Sequence, residues 1–343
     1  MSAAVYAIDP LLDPRWDDLV ARHPRATVFH TRSWLEALTR TYRYEPFVLT
    51  TTAEGPLTDG LVACRVRTWL ARRLVSLPFS DHCDPLVDDA GTAATLMARL
   101  RCQAEEEGWR SCELRPKAVV NDGLAAGERY WLHTLDLARP ATQVFSGFHP
   151  SHTKRAVRRA EREGVTYEVG RSASLLAAFY TLLRETRRRH GVPPQPMVWF
   201  RNLVASLGER LAIHVARKDG HPIAAILTLA FGRSMVYKYG GSDAAHHRLG
   251  GMPFLFWHAI QGAQSQGLLE LDLGRTDCEN AGLLAFKNHL GATASALTYR
   301  VWPAQRARAI QAGSLTRLAR RLLVNLPDAA LDLSGRLAYR HLG

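Results

Sequence analysis

The chain has 343 residues, more than one hydrophobic core normally needs and enough for two domains. Hydrophobic residues make up 47% and charged residues 22%, an ordinary globular composition, but the formal charge of +12 favours anionic partners such as RNA, nucleotide-linked cofactors or an acidic membrane surface. The competing account of that charge is an Arg- and Ala-rich composition with no partner behind it. No apolar run reaches the roughly 18 residues of a spanning helix. The start, MSAAVYAIDPLLDPRW, lacks the basic and apolar regions of a signal peptide, so a cytoplasmic protein is expected. The cysteines, Cys64, Cys83, Cys102, Cys112 and Cys278, are odd in number, scattered and never in C-x-x-C spacing. That argues against a disulfide framework or a zinc ribbon and fits a reducing compartment.

In chain order, Val5 to Ile8 reads as a short strand, Asp13-Pro14 opens a helix, and Ser33 is placed to cap a second one, SWLEALTRTY. Three extended stretches follow, PFVLTT, GLVACRVR and RRLVSLPF, with a turn at Glu54-Gly55-Pro56 between the first two. A loop, SDHCDPLVDDAG, leads to a helix from Thr92 to Glu107 that Gly108 stops. The strands WRSCELR and YWLHTLDL close this half. The second half repeats the order. A basic helix, Ser151 to Glu163, precedes the strand VTYEV and two helices, Ser174 to His190 and Met197 to Leu207. A three-stranded meander follows, with a hairpin turn at Lys218-Asp219-Gly220. Then come a helix from Pro253 to Gln266, the strand LLELDL, a helix from Glu279 to His289 and the strand ALTYRVW.

The expected fold class is therefore α/β with mixed sheets, built as two copies of one module. The expected domains are 1–140, 141–303 with the catalytic cleft, and a tail of two amphipathic helices over 304–343 packing on the first domain. The tail's leucine stripe fits packing against a module, and its alternative is a surface resting on an anionic membrane.

Common chemical signatures are missing: no G-x-G-x-x-G, no P-loop, no H-E-x-x-H and no G-x-S-x-G. A dinucleotide oxidoreductase, a P-loop NTPase, a zincin and a serine hydrolase are disfavoured accordingly. Neither His82-Cys83-Asp84 nor the adjacent His246-His247 has chelating spacing, so no metal is expected. The loop HHRLGGMP opens an apolar helix, where glycines admit a ligand and free amides favour a phosphate or carboxylate; a plain strand-to-helix turn needs the same glycines. Asp272, Arg275 and Asp277 cluster at a strand end, where α/β sites lie, although Asp277 also suits a helix N-cap. Lys287 on the next helix could steady a developing oxyanion or leaving oxygen; the competing account is a solvated helix lysine. In SHTKRAVRRAERE, Lys154, Arg158 and Arg162 share a face, with Arg155 and Arg159 beside them. Such a stripe suits a phosphate backbone, and a solvated face is the alternative.

The strings VFHTRSWLEAL, LPFSDHCDPLV, KRAVRRAEREGVTYEV, VYKYGGSDAAHHRLGGMPFLFWHAIQGAQSQGLLELDLGRTD and LLAFKNHLGA, in this order, cover most of the chain. In them the chain resembles the Fem-like branch of the acetyltransferase (GNAT) superfamily, including its CelD/BcsL-type domain. The resemblance implies tandem GNAT-like domains and transfer of an amino acid from aminoacyl-tRNA to an acceptor amine, on a small metabolite or natural product or on a cell-envelope precursor, with no bound cofactor. It assigns Phe286 and Lys287 to the family's Phe-Lys pair at the reaction centre and Tyr239 to an aromatic near the acceptor. His82, Asp84 and Arg115 fall to the acceptor side, with Asp272, Arg275 and Asp277 orienting the substrates. Lys154, Arg155, Arg158, Arg159 and Arg162 fall to the tRNA.

Three departures stand out. No long coiled-coil arm of the kind some cell-wall members insert is present, which disfavours peptidoglycan cross-bridge synthesis. Arg115-Pro116 takes the place of an Asp-Pro common in Fem ligases. In the coenzyme A loop pattern [QR]-x-x-G-x-[GA], His247 and Met252 hold the first and last positions. Acyl-coenzyme A is the alternative donor, and a non-catalytic RNA or membrane-surface adaptor the alternative class. Contact with an anionic membrane at its inner face remains compatible with all three.

Overall fold

A computed structural model describes residues 4–68, 72–117, 124–303 and 323–342. Their placement gives two compact units, neither of them one continuous stretch.

The first unit holds the residues up to Arg129, with 297–303 and 336–342 from the end of the chain. Its sheet runs β1 (Tyr6–Ile8), β2 (Glu45–Thr50), β3 (Leu61–Arg67), β4 (Arg72–Val75), β5 (Ser111–Leu114) and then β12 (Thr293–Trp302). Only β4 and β5 pair in parallel, and α3 (Ala90–Glu106) forms the crossover between them. Helix α1 (Pro14–Arg22) starts at Asp13, whose carboxylate accepts from Arg15 N. Helix α2 (Arg32–Tyr42) starts two residues earlier than the sequence indicated. Thr31 is its cap, its hydroxyl accepting from Trp34 N, and Ser33 lies inside the first turn. Leu96, Met97 and Leu100 of α3 pack on Leu61, Leu74 and Leu114 of the sheet, each worth about 1.5–3 kcal/mol of burial.

The second unit comprises residues 130–296 and, from the chain's end, 323–335. Its sheet order is β6 (Ala125–Asp136), β11 (Glu270–Asp277), β10 (Ser234–Ser242), β9 (His221–Phe231), β8 (Leu211–Lys218) and β7 (Thr166–Gly170). The final strands are exchanged relative to the repeat seen in the sequence. YWLHTLDL, assigned to the first half, pairs with β11, with Tyr130 opposite Asp277. ALTYRVW, assigned to the second half, pairs with β5, with Arg300 opposite Leu114. Pairing register is a long-range choice that local alternation does not encode.

Helices α4 (Ala141–Gly147), α5 (Arg155–Arg162), α6 (Ala173–Arg189), α7 (Met197–Leu207), α8 (Gly251–Ser265) and α9 (Ala281–His289) surround this sheet. Phe254, Leu255, Phe256 and Ile260 of α8 are buried against Ala224, Ile226 and Leu271. The hairpin between β8 and β9 turns at Asp219 and Gly220, both with positive φ, as its sequence indicated. Of the tail, residues 304–322 lie outside the described residues, and with them the first of its two expected helices. Helix α10 (Asp328–Leu342) forms the second. Its start pairs Asp328 with Arg184 and Arg188 in the second unit. In the first unit, Tyr44 Oη donates to the carbonyls of Tyr339 and Arg340 at 3.1 Å.

Candidate active site of the second unit

The connection from β10 to α8 builds the site. Asp243 caps a 3₁₀ turn over Ala244–Leu249, accepting from Ala245 N at 2.8 Å. Gly250 then takes φ +79° and starts α8. Any side chain there would meet Ala156 O at 2.6 Å, so only glycine lets α5 close against the loop. Arg159 Nη1 fastens that contact by donating to Arg248 O at 2.9 Å.

A cavity of about 430 Å³ opens where α5, the loop and α9 meet. Arg155 and Arg159 line one side, His247, Arg248 and Gly250 the floor, and Ala285, Phe286 and His289 the far wall. A second cavity of about 230 Å³ shares Phe286, His247, Gly250 and Pro253 and continues to Ser242, Ile223 and Met252. Phe286 is therefore the partition, held edge-on against Phe256 at 5.5 Å. His246 Nδ1 lies 2.5 Å from Asp243 Oδ2. The Ala245 amide, then the His246 bond, holds the Asp243 carboxyl below its ordinary range. Burial, then the charge of Arg189, lowers His247, which shares a hydrogen bond with Ser242 Oγ at 2.9 Å. This ring is neutral near pH 7.

Lys287 follows Phe286 but points the other way. It is 2% exposed, and Nζ donates to Gly274 O at 2.8 Å and Arg275 O at 3.1 Å. Those carbonyls belong to a bulge in β11, where its register with β6 shifts between Asp272 and Arg275. Asp272 Oδ1 accepts from Gly274 N at 2.7 Å, so an acid and a base together hold the bulge. Fully buried His133 on β6 is lowered by burial first and by the Lys287 charge second. Arg275 lies over the Tyr130 ring at 4.2 Å. Asp277 is exposed, and its carbonyl accepts from Asn280 N; Asn280, not Asp277, caps α9 by accepting from Leu283 N at 3.1 Å.

The other residues singled out by sequence are distributed as follows. Tyr239 is buried, its Oη accepting from Trp199 Nε1 at 3.0 Å and its ring meeting Phe200 edge-on. His82, Asp84 and Arg115 are buried in the first unit. His82 packs on the Phe29 ring, and Asp84 Oδ1 accepts from Lys117 N at 2.7 Å. Arg115 pairs with Glu113 at 2.7 Å and donates to the carbonyls of Leu77 and Ser80. The basic stretch is not one helix: Pro150–Lys154 forms a π turn, and α5 begins at Arg155. Arg155, Arg158 and Arg162 are exposed, whereas Lys154 reaches Ser146 O and Arg159 reaches the loop. Sequence reasoning missed Arg248, Ala285 and His289 as cavity walls. No spacing joins residues 151–159 to 282–289, so only the tertiary fold brings them together.

Residues 149–288 match the family described as acetyltransferase (GNAT) domain. A 184-residue stretch is 28% identical to the UDP-N-acetylmuramoylpentapeptide-lysine N(6)-alanyltransferase of Weissella viridescens. That match takes in 51% of this chain and 53% of the relative, so the chain spans about half the length of the curated relative it matches. A crystal structure of FemX superposes with TM-score 0.69 at 14% identity, over 90% of this chain and 99% of the other. The C-terminal domain of a lysylphosphatidylglycerol synthetase from Agrobacterium fabrum gives 0.58 at 17% identity, over 88% and 95%. A tandem GNAT protein from the clavulanic acid pathway gives 0.52 at 14% identity, over 87% and 97%. These three establish the fold, a tandem GNAT architecture with mixed sheets. The sequence matches point the same way, to a GNAT domain over residues 149–288 and to an alanyltransferase over about half of the chain, so the chain is similar to the Fem-like branch of the GNAT N-acyltransferase superfamily.

Proposed function

We propose that the chain forms amide bonds by transferring an aminoacyl group from charged tRNA to an acceptor amine of a cell-envelope or peptide-like precursor. The observation that carries this is the cavity of the second unit. It joins three arginines, Arg155, Arg159 and Arg248, to a glycine-bounded helix start and an aromatic partition. Cations and helix-start amides suit the phosphates at the acceptor end of a tRNA, and the exposed Arg158 and Arg162 extend the charge along α5. The alanyltransferase likeness supports an amino acid as the transferred group and a peptide-like amine as the acceptor.

In the transfer, the acceptor amine attacks the ester carbonyl, the carbon–nitrogen bond forms, and the ribose oxygen leaves with the electron pair of the broken ester bond and takes up the proton that the amine nitrogen gives up. Phe286 walls the ester in. Lys287, held on the β11 bulge and lining neither cavity, must release a carbonyl and turn toward Phe286 to meet the developing negative charge. Asp272 holds the bulge against that movement, while Arg275 and Asp277 border it. Tyr239, on β10, supports the site from the core through its bond with Trp199.

One observation favours acyl-coenzyme A instead: the loop ending at Gly250-Gly251 stands at the cavity floor, where a pyrophosphate would sit. The donors separate in one experiment. The protein is incubated with an acceptor amine and either alanyl-tRNA or acetyl-coenzyme A, with and without ribonuclease. Product that ribonuclease abolishes is the expected result. Product from acetyl-coenzyme A in ribonuclease-treated mixtures would overturn the tRNA donor. No helix among the described residues is long and apolar enough to cross a membrane.

A further inference from the structure

Three histidines meet at the edge of the cavity. His149 precedes the π turn, His152 lies within it, and His289 ends α9. One ring nitrogen from each lies within 4.8 Å of the others. The rings of His152 and His289 stack at 4.4 Å with planes 10° apart, and the His149 ring stands 4.7 Å and 4.4 Å from them. We propose that His149, His152 and His289 form a divalent transition-metal site of the zinc class, open to the cavity at its fourth position.

The backbone fixes this meeting. His149 N donates to His289 O at 2.8 Å, and Thr153 Oγ1 donates to the same oxygen at 2.9 Å. The π turn and the end of α9 are thus tied at the point where the rings converge, a turn type that recurs at functional sites. The cluster has no role in the core: His152 is exposed and the other two are half-buried. Among the described residues, the one hydrogen bond to a ring nitrogen of the three is from His152 N to His149 Nδ1, at 3.4 Å. That leaves Nε2 of His149 and the rings of His152 and His289 to turn inward. A tetrahedral site needs metal–nitrogen distances of about 2.0–2.1 Å, hence nitrogens roughly 3.4 Å apart. Metal binding draws the nitrogens in from 4.8 Å by turning the imidazoles about their side-chain bonds. Three imidazole nitrogens suit Zn²⁺, Co²⁺, Ni²⁺ or Cu²⁺ and exclude Mg²⁺ or Ca²⁺, which take oxygen ligands.

His152 and His289 also line the cavity, so the fourth position faces Arg155 and Arg159. Two guanidinium groups beside a dication favour an anionic fourth ligand, a phosphate or carboxylate oxygen. The metal site stands whether or not tRNA is the donor, since it rests on the histidine geometry alone.

The test is titration of Zn²⁺ into the full chain, freed of any affinity tag, by calorimetry. Co²⁺ substitution adds a visible absorption band reporting tetrahedral nitrogen coordination. One equivalent is expected, with binding weakened roughly tenfold or more in His152→Asn and again in His152→Asn/His289→Asn. His246→Asn/His247→Asn should bind as the parent does. Circular dichroism confirms that each variant is folded, and His152→Asn, at an exposed position, keeps the test intact if the double variant is not. Sub-stoichiometric binding in the parent, or equal binding in His152→Asn, would overturn the site.

Discussion

Replacing Lys287 with methionine tests its seat and its chemistry together. The ammonium makes hydrogen bonds of 2.8 and 3.1 Å to two β11 carbonyls while only 2% exposed. Bonds from a charged donor are worth about 1.5–3 kcal/mol each, a gross loss of roughly 3–6 kcal/mol. Relief of the buried charge offsets part of that, leaving about 3 kcal/mol net. For a unit of this size the midpoint should fall by roughly 6–12 °C in scanning calorimetry. The Lys287 charge also lowers His133, so His133 should titrate higher in Lys287→Met, a shift readable by nitrogen-15 NMR of the imidazole. Single-turnover transfer, measured well below the variant's midpoint, should drop by at least about 10²-fold if the same ammonium stabilises the oxyanion. An unchanged midpoint would refute the clamp. A fallen midpoint with transfer within a few-fold of the parent would make Lys287 a structural residue and move the chemistry elsewhere.

Other measurements check the remaining geometry. Gly250→Ala puts a methyl 2.6 Å from Ala156 O at φ +79° and should lose about 1–3 kcal/mol of stability and weaken donor binding; equal melting would show that α5 does not clamp the loop. Burial pushes His30 and His214 down to about 4 from an ordinary 6.5. The unfolded chain therefore takes up protons first on acidification. Stability should be full above pH 6.5 and decline towards pH 4, by up to about 3 kcal/mol for each ring. Chemical denaturation at pH 7.5 and pH 5 reads this, and equal midpoints would refute the buried neutral state. Reversing Arg155, Arg158 and Arg162 to glutamate should reduce the log–log salt slope of tRNA binding by roughly 2–3. An unchanged slope would exclude α5 from the tRNA surface.

Elements were far more legible in the sequence than partners were. The hairpin at Asp219-Gly220, the stop at Gly108 and the cap at Asp13 follow from φ preference and side-chain reach, which act within four residues. The Phe286 wall and the glycine loop were legible for a different reason: they carry a resemblance that spans much of the chain. Distant contacts were not legible. His149 and His152 lie far along the chain from His289, and the carbonyls that hold Lys287 come from a bulge that no periodicity announces.

The exchange of final strands bears directly on the site. β6 supplies the register against which β11 shifts, and that shift turns the Gly274 and Arg275 carbonyls onto Lys287. Had YWLHTLDL stayed in the first unit, as the repeat in element order indicated, β11 would lack the neighbour that defines the bulge. Lys287 would then have no seat, and His133 would not stand beside it. Thus a strand read from sequence as the end of one module sets the position of a buried cation in the other. Substitutions in β6 that slip its register should accordingly act on transfer through Lys287 while leaving the cavity walls on α5 and the loop in place.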